Sequence, residues 1–112
     1  MIRLKRAYEP VGSDDGYRVL VDRLWPRGLS KEKLRLDIWL KEVGPSNELR
    51  KWFNHDPAKW QEFKSRYKKE ITGTETFKEL KKIVDENSLV TLVYGAADEE
   101  HNQAVALKEF LK

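Results

Sequence analysis

Cysteine is absent from the 112 residues, and methionine occurs once. Without cysteine the chain can form no disulfide framework, no thiolate zinc site and no thiol nucleophile. Long apolar runs are missing too: the first residues, "MIRLKRAYEP", have no apolar core of signal-peptide length, and no stretch approaches the length that spans a bilayer. We therefore expect a cytoplasmic protein without a membrane segment.

A strong charge of one sign is also missing. Lys and Arg number 22 against 19 Asp and Glu, which gives a formal net charge of +3. This mild basic excess permits an anionic partner but does not require one. Hydrophobic residues make up 39% of the chain and aromatic residues 11%, which is enough for one core. We expect a single domain over residues 1–112.

Four stretches predict β-strands. "IRLKRAY" alternates apolar and polar residues, as a strand with one covered face does, whereas "YRVLVDRL" and "LVTLVY" have the composition of buried inner strands. "LDIWL" predicts a further strand with Leu36, Ile38 and Leu40 on one face.

Cap residues predict where the helices begin. Ser30 can N-cap a short helix over "KEKLR", and Ser46 can N-cap "NELRKWF". Asp56 followed by Pro57 predicts another helix start, because Asp caps free amides and Pro needs no amide partner there. The helix that follows has an apolar stripe at helical spacing, formed by Trp60, Phe63, Tyr67 and Ile71.

Two more helix starts come from the later sequence. Thr76 and Glu79 have the spacing of a capping box, and Asp98 is predicted to open the last helix. The predicted order β-β-α-β-α-α-α-β-α favours parallel crossovers. The fold class is therefore α/β: a small, mostly parallel sheet of about four strands with helices packed against it. The short loop from Ala7 to Tyr17 leaves the direction of the first strand open.

Polar, turn-rich segments follow three of the predicted strands. They read "DRLWPRG", "KEVGPS" and "GAADEEHNQ". Ligands of open parallel sheets bind beyond the carboxyl ends of the strands. If these strands are parallel, the three segments converge on one edge, and we predict a ligand site there.

The first of these segments has two arginines on either side of a tryptophan. Arg23 and Arg27 can bind phosphate or carboxylate through their guanidinium groups, and an exposed Trp25 offers a face for a base or sugar. The alternative is that Trp25 packs under the loop while one arginine pairs with Asp22.

The second segment ends at a predicted helix start. Free amides and the helix dipole make such a start an anion site, and Ser46 lies there. Arg50 follows one turn later on the same side of the helix. The alternative is that Ser46 is a plain N-cap.

The only two histidines each lie beside acidic residues. His55 precedes Asp56, and His101 follows Asp98 and two glutamates. Either imidazole could act as a general base, and with Asp22 they could ligate a metal. No dedicated ligand spacing is present, so we predict no metal site. Whether the protein uses a cofactor is left open by the sequence.

A resemblance covers nearly the whole chain. The residues "DGYRVLVDRLWPRGLSKEKL", "LDIWLKEVGPSNELRKWFNHDPAKWQEFKSRY" and "TLVYGAADEEHNQAVALKEFL" resemble the YeaO-like branch of the domain-of-unknown-function 488 family. The resemblance implies a small bacterial or archaeal cytosolic α/β protein, and it implies no established activity.

The resemblance also bears on individual residues. The wider family has an Asp-Arg motif after a central strand, here Asp22 and Arg23, and a Cys before a His-Arg pair after its last strand. His101 matches that histidine, but Glu100 stands in place of the Cys and Asn102 in place of the Arg. These departures remove a thiol role. They leave Asp22, Arg23 and His101, together with Arg27, as the residues that the resemblance transfers.

Two functional hypotheses remain open. The first is an enzyme or sensor for an anionic, nucleotide-like ligand, with Asp22 and His101 as the catalytic candidates. The ligand-binding candidates are Arg23, Trp25, Arg27, Ser46, Arg50, Asp98 and Asn102. The second is a non-catalytic module for a protein or nucleic-acid partner, although no known nucleic-acid module is present. A third reading makes this edge an ion-paired cover of the core.

The three readings predict different surroundings for the same side chains. Under the ligand hypothesis one concave pocket is lined by Asp22, Arg27, Ser46 and His101. A macromolecular partner requires a flat exposed patch around Trp25. A structural role requires that Asp22 and the arginines pair with one another and that Trp25 is buried.

Overall fold

A four-stranded parallel sheet forms the centre of the computed structural model, which describes residues 1–112. The strands are β1 (Ile2–Arg6), β2 (Tyr17–Leu20), β3 (Ile38–Trp39) and β4 (Val90–Tyr94). They lie in the order β1-β4-β2-β3, and every pairing is parallel. The α/β prediction is confirmed, and the first strand is parallel to its neighbour β4, with Ile2 opposite Val90.

Five helices accompany the sheet. They are α1 (Lys31–Leu34), α2 (Asn47–Phe53), α3 (Trp60–Ile71), α4 (Glu75–Glu86) and α5 (Gln103–Phe110). Short 3₁₀ turns cover Lys41–Val43 and Pro57–Lys59. None of these helices combines the length and the apolar character that crossing a membrane would require.

The sheet has a large core on one face and a small one on the other. The large core joins the inner strands to apolar side chains of α2, α3, α4 and α5. It contains the whole predicted stripe of α3, whose members Trp60, Phe63, Tyr67 and Ile71 are all buried. The small cluster on the other face consists of Ala7, Leu20, Leu34 and Val93. Alternation along β2 and β4 separates the two sets, because successive strand residues point to opposite faces.

Three predicted helix starts are confirmed. Ser30 Oγ accepts a hydrogen bond from the Lys33 N–H, and Ser46 Oγ accepts one from the Leu49 N–H. Asp56 accepts from the Ala58 N–H and opens the 3₁₀ turn that leads into α3.

Two helix starts were placed wrongly by the sequence pattern. The N-cap of α4 is Thr74, which accepts from the Phe77 N–H, so Thr76 lies inside the helix and forms no capping box. Thr74 has the extended backbone that a cap needs, directly after the left-handed Gly73. The last helix begins after Asn102, not at Asp98.

The predicted third strand is also shorter than its pattern suggested. Only Ile38 and Trp39 pair with β2. Leu36 packs against the small cluster, whereas Leu40 belongs to the large core and Ile38 packs against it, so the three do not share a face. Alternation holds only along a continuous strand, and Leu36 precedes the paired residues.

Candidate functional site

The three polar segments meet at the carboxyl edge of the sheet. Asp22 follows β2, and its Oδ2 accepts a hydrogen bond of 2.8 Å from the N–H of Gly95, just beyond β4. Gln103, the first residue of α5, donates its side-chain amide to Asp22 Oδ1. Arg23 Nε donates to the Gly44 carbonyl at 3.0 Å. The predicted convergence is confirmed by these contacts.

A cavity of about 250 Å³ opens at this edge. Its lining consists of Asp22, Arg23, Leu24, Pro45, Arg50, Phe53, His55, Phe63, Ala96, His101, Asn102 and Gln103. The polar side chains come from the first and third converging segments, from α2 and from the turn after α2. The apolar side chains come from all three segments and from one residue each of α2 and α3. A concave apolar site with a few convergent polar groups is the usual form of a small-molecule site.

Asp22 is the half-buried acid of this cavity. Its burial raises the pKa of the carboxyl to about 6, although the Gly95 N–H, the charge of Arg50 and the Gln103 amide all act to lower it. Gly95 permits this approach because a Cβ atom there would lie 3.0 Å from Asp22 Oδ2. Asp22 therefore changes its charge in a pH range where catalytic and ligand-binding acids commonly work.

Two arginines of the lining form no ion pair with the chain's own acids. Arg23 is anchored to the Gly44 carbonyl, and a Cβ atom at Gly44 would lie 2.9 Å from Arg23 Cγ. Arg50 donates from Nη2 to Asn47 Oδ1 at 2.7 Å, while its Nε is buried without a hydrogen-bond partner. A guanidinium has five N–H donors, so each arginine keeps most of its donors unused.

His101 is oriented by the acid that precedes it. Its Nδ1 lies 3.0 Å from Asp98 Oδ2, and its ring meets Trp60 edge-on at 5.4 Å between centroids. The N–H of Glu100 and the His101 side chain lower the pKa of Asp98. Asp98 thus lies behind His101, outside the cavity lining, where it positions the ring.

The turn after α2 brings the second histidine to the cavity. Asn54 and His55 both have left-handed backbones, with φ of 46° and 55°. Such conformations are uncommon for residues other than glycine, and two in succession reverse the chain sharply. His55 consequently lines the cavity that also includes Asp22 and His101. These residues do not form a group of three acids or histidines that could hold a metal ion.

Asn102 connects the last strand to the last helix. Its Oδ1 accepts from the Val105 N–H at 3.1 Å, and its Nδ2 donates to the Asp98 carbonyl at 2.9 Å. The side chain is buried, and both of its polar atoms are used within the chain. Asn102 thus shapes the wall and holds Gln103 at the first turn of α5.

Trp25 and Arg27 lie outside the cavity lining. Trp25 is half-buried, donates from Nε1 to the Leu29 carbonyl at 2.7 Å and meets Trp39 edge-on at 5.4 Å. It packs against the small cluster on the opposite face of the sheet. Arg27 is exposed, and its carbonyl accepts from the Tyr8 hydroxyl. The loop after Asp22 therefore leaves the cavity edge before it reaches these two residues.

The helix start at Ser46 is already occupied by a carboxylate of the protein. The N–H of Ser46 donates to Glu70 Oε1 at 2.7 Å, and its Oγ donates to Glu70 Oε2 at 2.8 Å. Ser46 also caps α2 and does not line the cavity. The predicted anion position at this helix start is thus filled from within the chain.

Five of the predicted site residues line the cavity: Asp22, Arg23, Arg50, His101 and Asn102. Their roles in binding or catalysis stay predictions. The sequence reasoning missed Gln103 and left His55 out of the site. A polar residue in the first turn of the helix after the last strand was the available signal for Gln103. No local pattern pointed to Phe53 or Phe63, which the helical periodicity assigns to the core.

Comparison with known proteins places the chain in a family. The family described as the inactive DUF488-N3 subclade matches residues 1–112. The chain belongs to this family. The resemblance to the YeaO-like branch of the domain-of-unknown-function 488 family is thereby confirmed.

Curated relatives agree with this assignment. Uncharacterized protein YeaO of Escherichia coli is 42% identical over 113 residues, which cover 99% of this chain and 96% of that protein. Uncharacterized protein Rv3073c of Mycobacterium tuberculosis and Uncharacterized protein Mb3100c of Mycobacterium bovis are each 42% identical over 110 residues, covering 98% of this chain and 92% of theirs. No solved structure matches the chain.

Proposed function

We propose that this protein binds a small ligand carrying an anionic group, a carboxylate or a phosphate, in the cavity at the carboxyl edge of the sheet. The observation that carries the proposal is the pair Arg23 and Arg50. Both line the cavity, neither forms an ion pair with an acid of the chain, and a buried N–H of Arg50 has no partner. Buried polar groups are nearly always paired, so an unpaired guanidinium N–H beside a cavity favours an external acceptor.

Other readings of this edge have less support. A purely structural role would need Asp22 and the arginines to pair, yet Asp22 accepts only from neutral amides of Gly95 and Gln103. A macromolecular partner would need an exposed patch around Trp25, which is half-buried and hydrogen-bonded to Leu29.

We propose further that the ligand is bound without turnover. The family description names the subclade inactive, and the chain has no cysteine to act as a nucleophile. Asp22 and His101 then serve to position the ligand. A sensor or carrier fits this reading better than an enzyme does.

The test measures thermal unfolding of the wild type, Arg50→Gln and Arg27→Gln with inorganic phosphate, nucleoside monophosphates and small carboxylates. A ligand at about a hundred times its Kd adds roughly 2.7 kcal/mol to the free energy of unfolding. For a domain of this size that raises Tm on the order of ten degrees. We expect the wild type and Arg27→Gln to respond to the same ligand and Arg50→Gln to lose the response.

Arg27→Gln is the matched control because it removes the same charge from a side chain outside the cavity. Retention of the full shift in Arg50→Gln would exclude this cavity as the site. A shift that disappears in Arg27→Gln alone would move the site to the outer part of the loop. If no small molecule that carries a carboxylate or a phosphate shifts the Tm of the wild type, zwitterions included, the proposed function is refuted.

A further inference from the structure

We infer that the ligand is a zwitterion with an apolar body, of the class of a free amino acid with an apolar side chain. Its ammonium group would face Asp22 and its carboxylate would face Arg23 and Arg50. The inference rests on the proposed function and narrows it to one ligand class. It follows from three features of the same cavity, which are its acid, its arginines and its apolar wall.

The acid is the first feature. Asp22 Oδ1 and Oδ2 each accept one hydrogen bond, both from neutral groups, and no cation of the chain pairs with the carboxylate. A carboxylate oxygen has a second lone pair that can accept from a ligand. A ligand with only negative charge would bring a like charge beside this acid, whereas an ammonium would neutralise it. With a pKa of about 6, Asp22 is mostly ionised at neutral pH and can serve as that counter-ion.

The arginines are the second feature. Arg23 and Arg50 line the same cavity as Asp22, and both keep unused N–H donors. Guanidinium groups match a carboxylate in shape and often bind it through two parallel hydrogen bonds. The cavity thus presents one acid and two arginines, none of them in a direct ion pair within the chain, to a single bound molecule. A molecule with both charges satisfies both sides at once.

The apolar wall is the third feature. Phe53 and Phe63 stack on each other at 4.4 Å between centroids and line the cavity together with Pro45 and Ala96. Leu24, also in the lining, is 63% exposed, which leaves apolar surface at the site uncovered. Covering that surface with an apolar group of the ligand is favourable. A free phosphate or a small dicarboxylate would leave this apolar surface exposed to water.

The size of the cavity agrees with such a ligand. Its volume of about 250 Å³ lies below the roughly 300–1,000 Å³ of sites for drug-sized ligands. One free amino acid is of a size that this space can hold. The inference is therefore for a free molecule.

Calorimetric titration of leucine and its two half-analogues tests the inference. The half-analogues are 4-methylpentanoate, which lacks the ammonium, and 3-methylbutylamine, which lacks the carboxylate. Phenylalanine, 3-phenylpropionate and 2-phenylethylamine form a second set. We expect the amino acid of at least one set to bind about tenfold or more tightly than either of its half-analogues, since each lost charged hydrogen bond costs roughly that factor.

Two variants test which residue binds the ammonium group and which binds the carboxylate. Asp22→Asn should remove the preference for leucine over 4-methylpentanoate, and Arg50→Gln should remove the preference over 3-methylbutylamine. Asp85→Asn, on the exposed face of α4, is the control and should bind as the wild type does. Circular dichroism and thermal unfolding establish that each variant is folded before it is titrated.

The outcomes separate this inference from the proposed function. If 4-methylpentanoate or inorganic phosphate binds as tightly as the amino acids, the zwitterion is overturned and an anion site is left in place. If 3-methylbutylamine binds as tightly, the carboxylate contributes nothing, and both the zwitterion and the anion site are overturned. If no amino acid of either set binds, the inference also fails, and the anion series with Arg50→Gln decides the proposed function independently. If the wild type and Asp22→Asn bind the amino acid equally tightly, Asp22 does not contact the ligand, and the inference is overturned as well.

Discussion

Two aspartates flank β2, and their surroundings differ in burial and in the partners of the carboxylate. Asp15, before the strand, is 1% exposed and accepts from Arg18 at 2.6 Å and from Lys5 at 3.0 Å. Asp22, after the strand, is half-buried and accepts only from the neutral amides of Gly95 and Gln103. The first charge is paired within the chain, and the second is not.

The pKa values follow this difference in pairing. Burial acts to raise the pKa of Asp15, but the Gly12 N–H, Lys5 and Arg18 outweigh it, so the pKa is lowered. Burial prevails at Asp22 and raises its pKa to about 6. Asp15 therefore stabilises the fold above its unfolded pKa, and this contribution is lost on strong acidification. Asp22 costs stability at neutral pH, a cost that a ligand-binding role explains and a structural role does not.

The largest expected effect belongs to the paired aspartate. Arg18→Met should lower the free energy of unfolding by about 3–5 kcal/mol, because it leaves the Asp15 charge buried without its closest partner. Urea denaturation at pH 7 measures the loss. Arg3→Met is the control, since Arg3 pairs with the exposed Asp14 and should cost at most about 1 kcal/mol. If Arg18→Met lowers the free energy of unfolding no more than Arg3→Met does, Asp15 does not depend on its buried ion pair, and the contrast with Asp22 fails.

The intermediate effect belongs to Asp22. The native pKa of about 6 lies above the ordinary value of 3.8, so the native state binds more protons between these limits. The contribution of Asp22 to stability therefore improves as pH falls from above 6 towards 4. Asp22→Asn lacks this dependence, because Asn resembles the protonated acid and the Gln103 amide can rotate to match it.

Relative to the wild type, Asp22→Asn should accordingly gain about 1–3 kcal/mol in the free energy of unfolding between pH 5 and pH 8. Urea denaturation of both proteins at the two pH values gives this difference. Asp85→Asn, on the exposed helix α4, should show the same stability difference from the wild type at both pH values. A pH-independent effect of Asp22→Asn would mean that Asp22 has an ordinary carboxyl pKa.

The smallest expected effect concerns the arginine beside Asp22. The charge of Arg50 lowers the pKa of this carboxyl, so Arg50→Gln should raise it above 6 by a fraction of a pH unit. Carbon-13 NMR titration of the Asp22 carboxyl follows the change directly. Arg27→Gln, outside the cavity, should leave the titration unaltered. If the pKa of Asp22 is unchanged in Arg50→Gln, the charge of Arg50 does not act on this carboxyl.

Much of the framework was determined by the sequence alone, through short-range patterns. Ser30, Ser46 and Asp56 cap the elements that they were predicted to cap, because a cap bonds to an amide two or three residues away. The α3 stripe is buried as its spacing indicated. The convergence of three polar segments followed from strand order, since parallel strands end at one edge.

Only the tertiary structure decided which of these polar groups are free. Glu70, from α3, occupies the helix start at Ser46, and the loop after Asp22 carries Trp25 to the other face of the sheet. The partners of Asp22 lie 73 and 81 residues away along the chain. Pairing and burial of a charge depend on such distant contacts, and no local pattern in the sequence encodes them. Asp15 and Asp22 carry the same carboxyl group, yet at neutral pH the first stabilises the fold and the second costs stability.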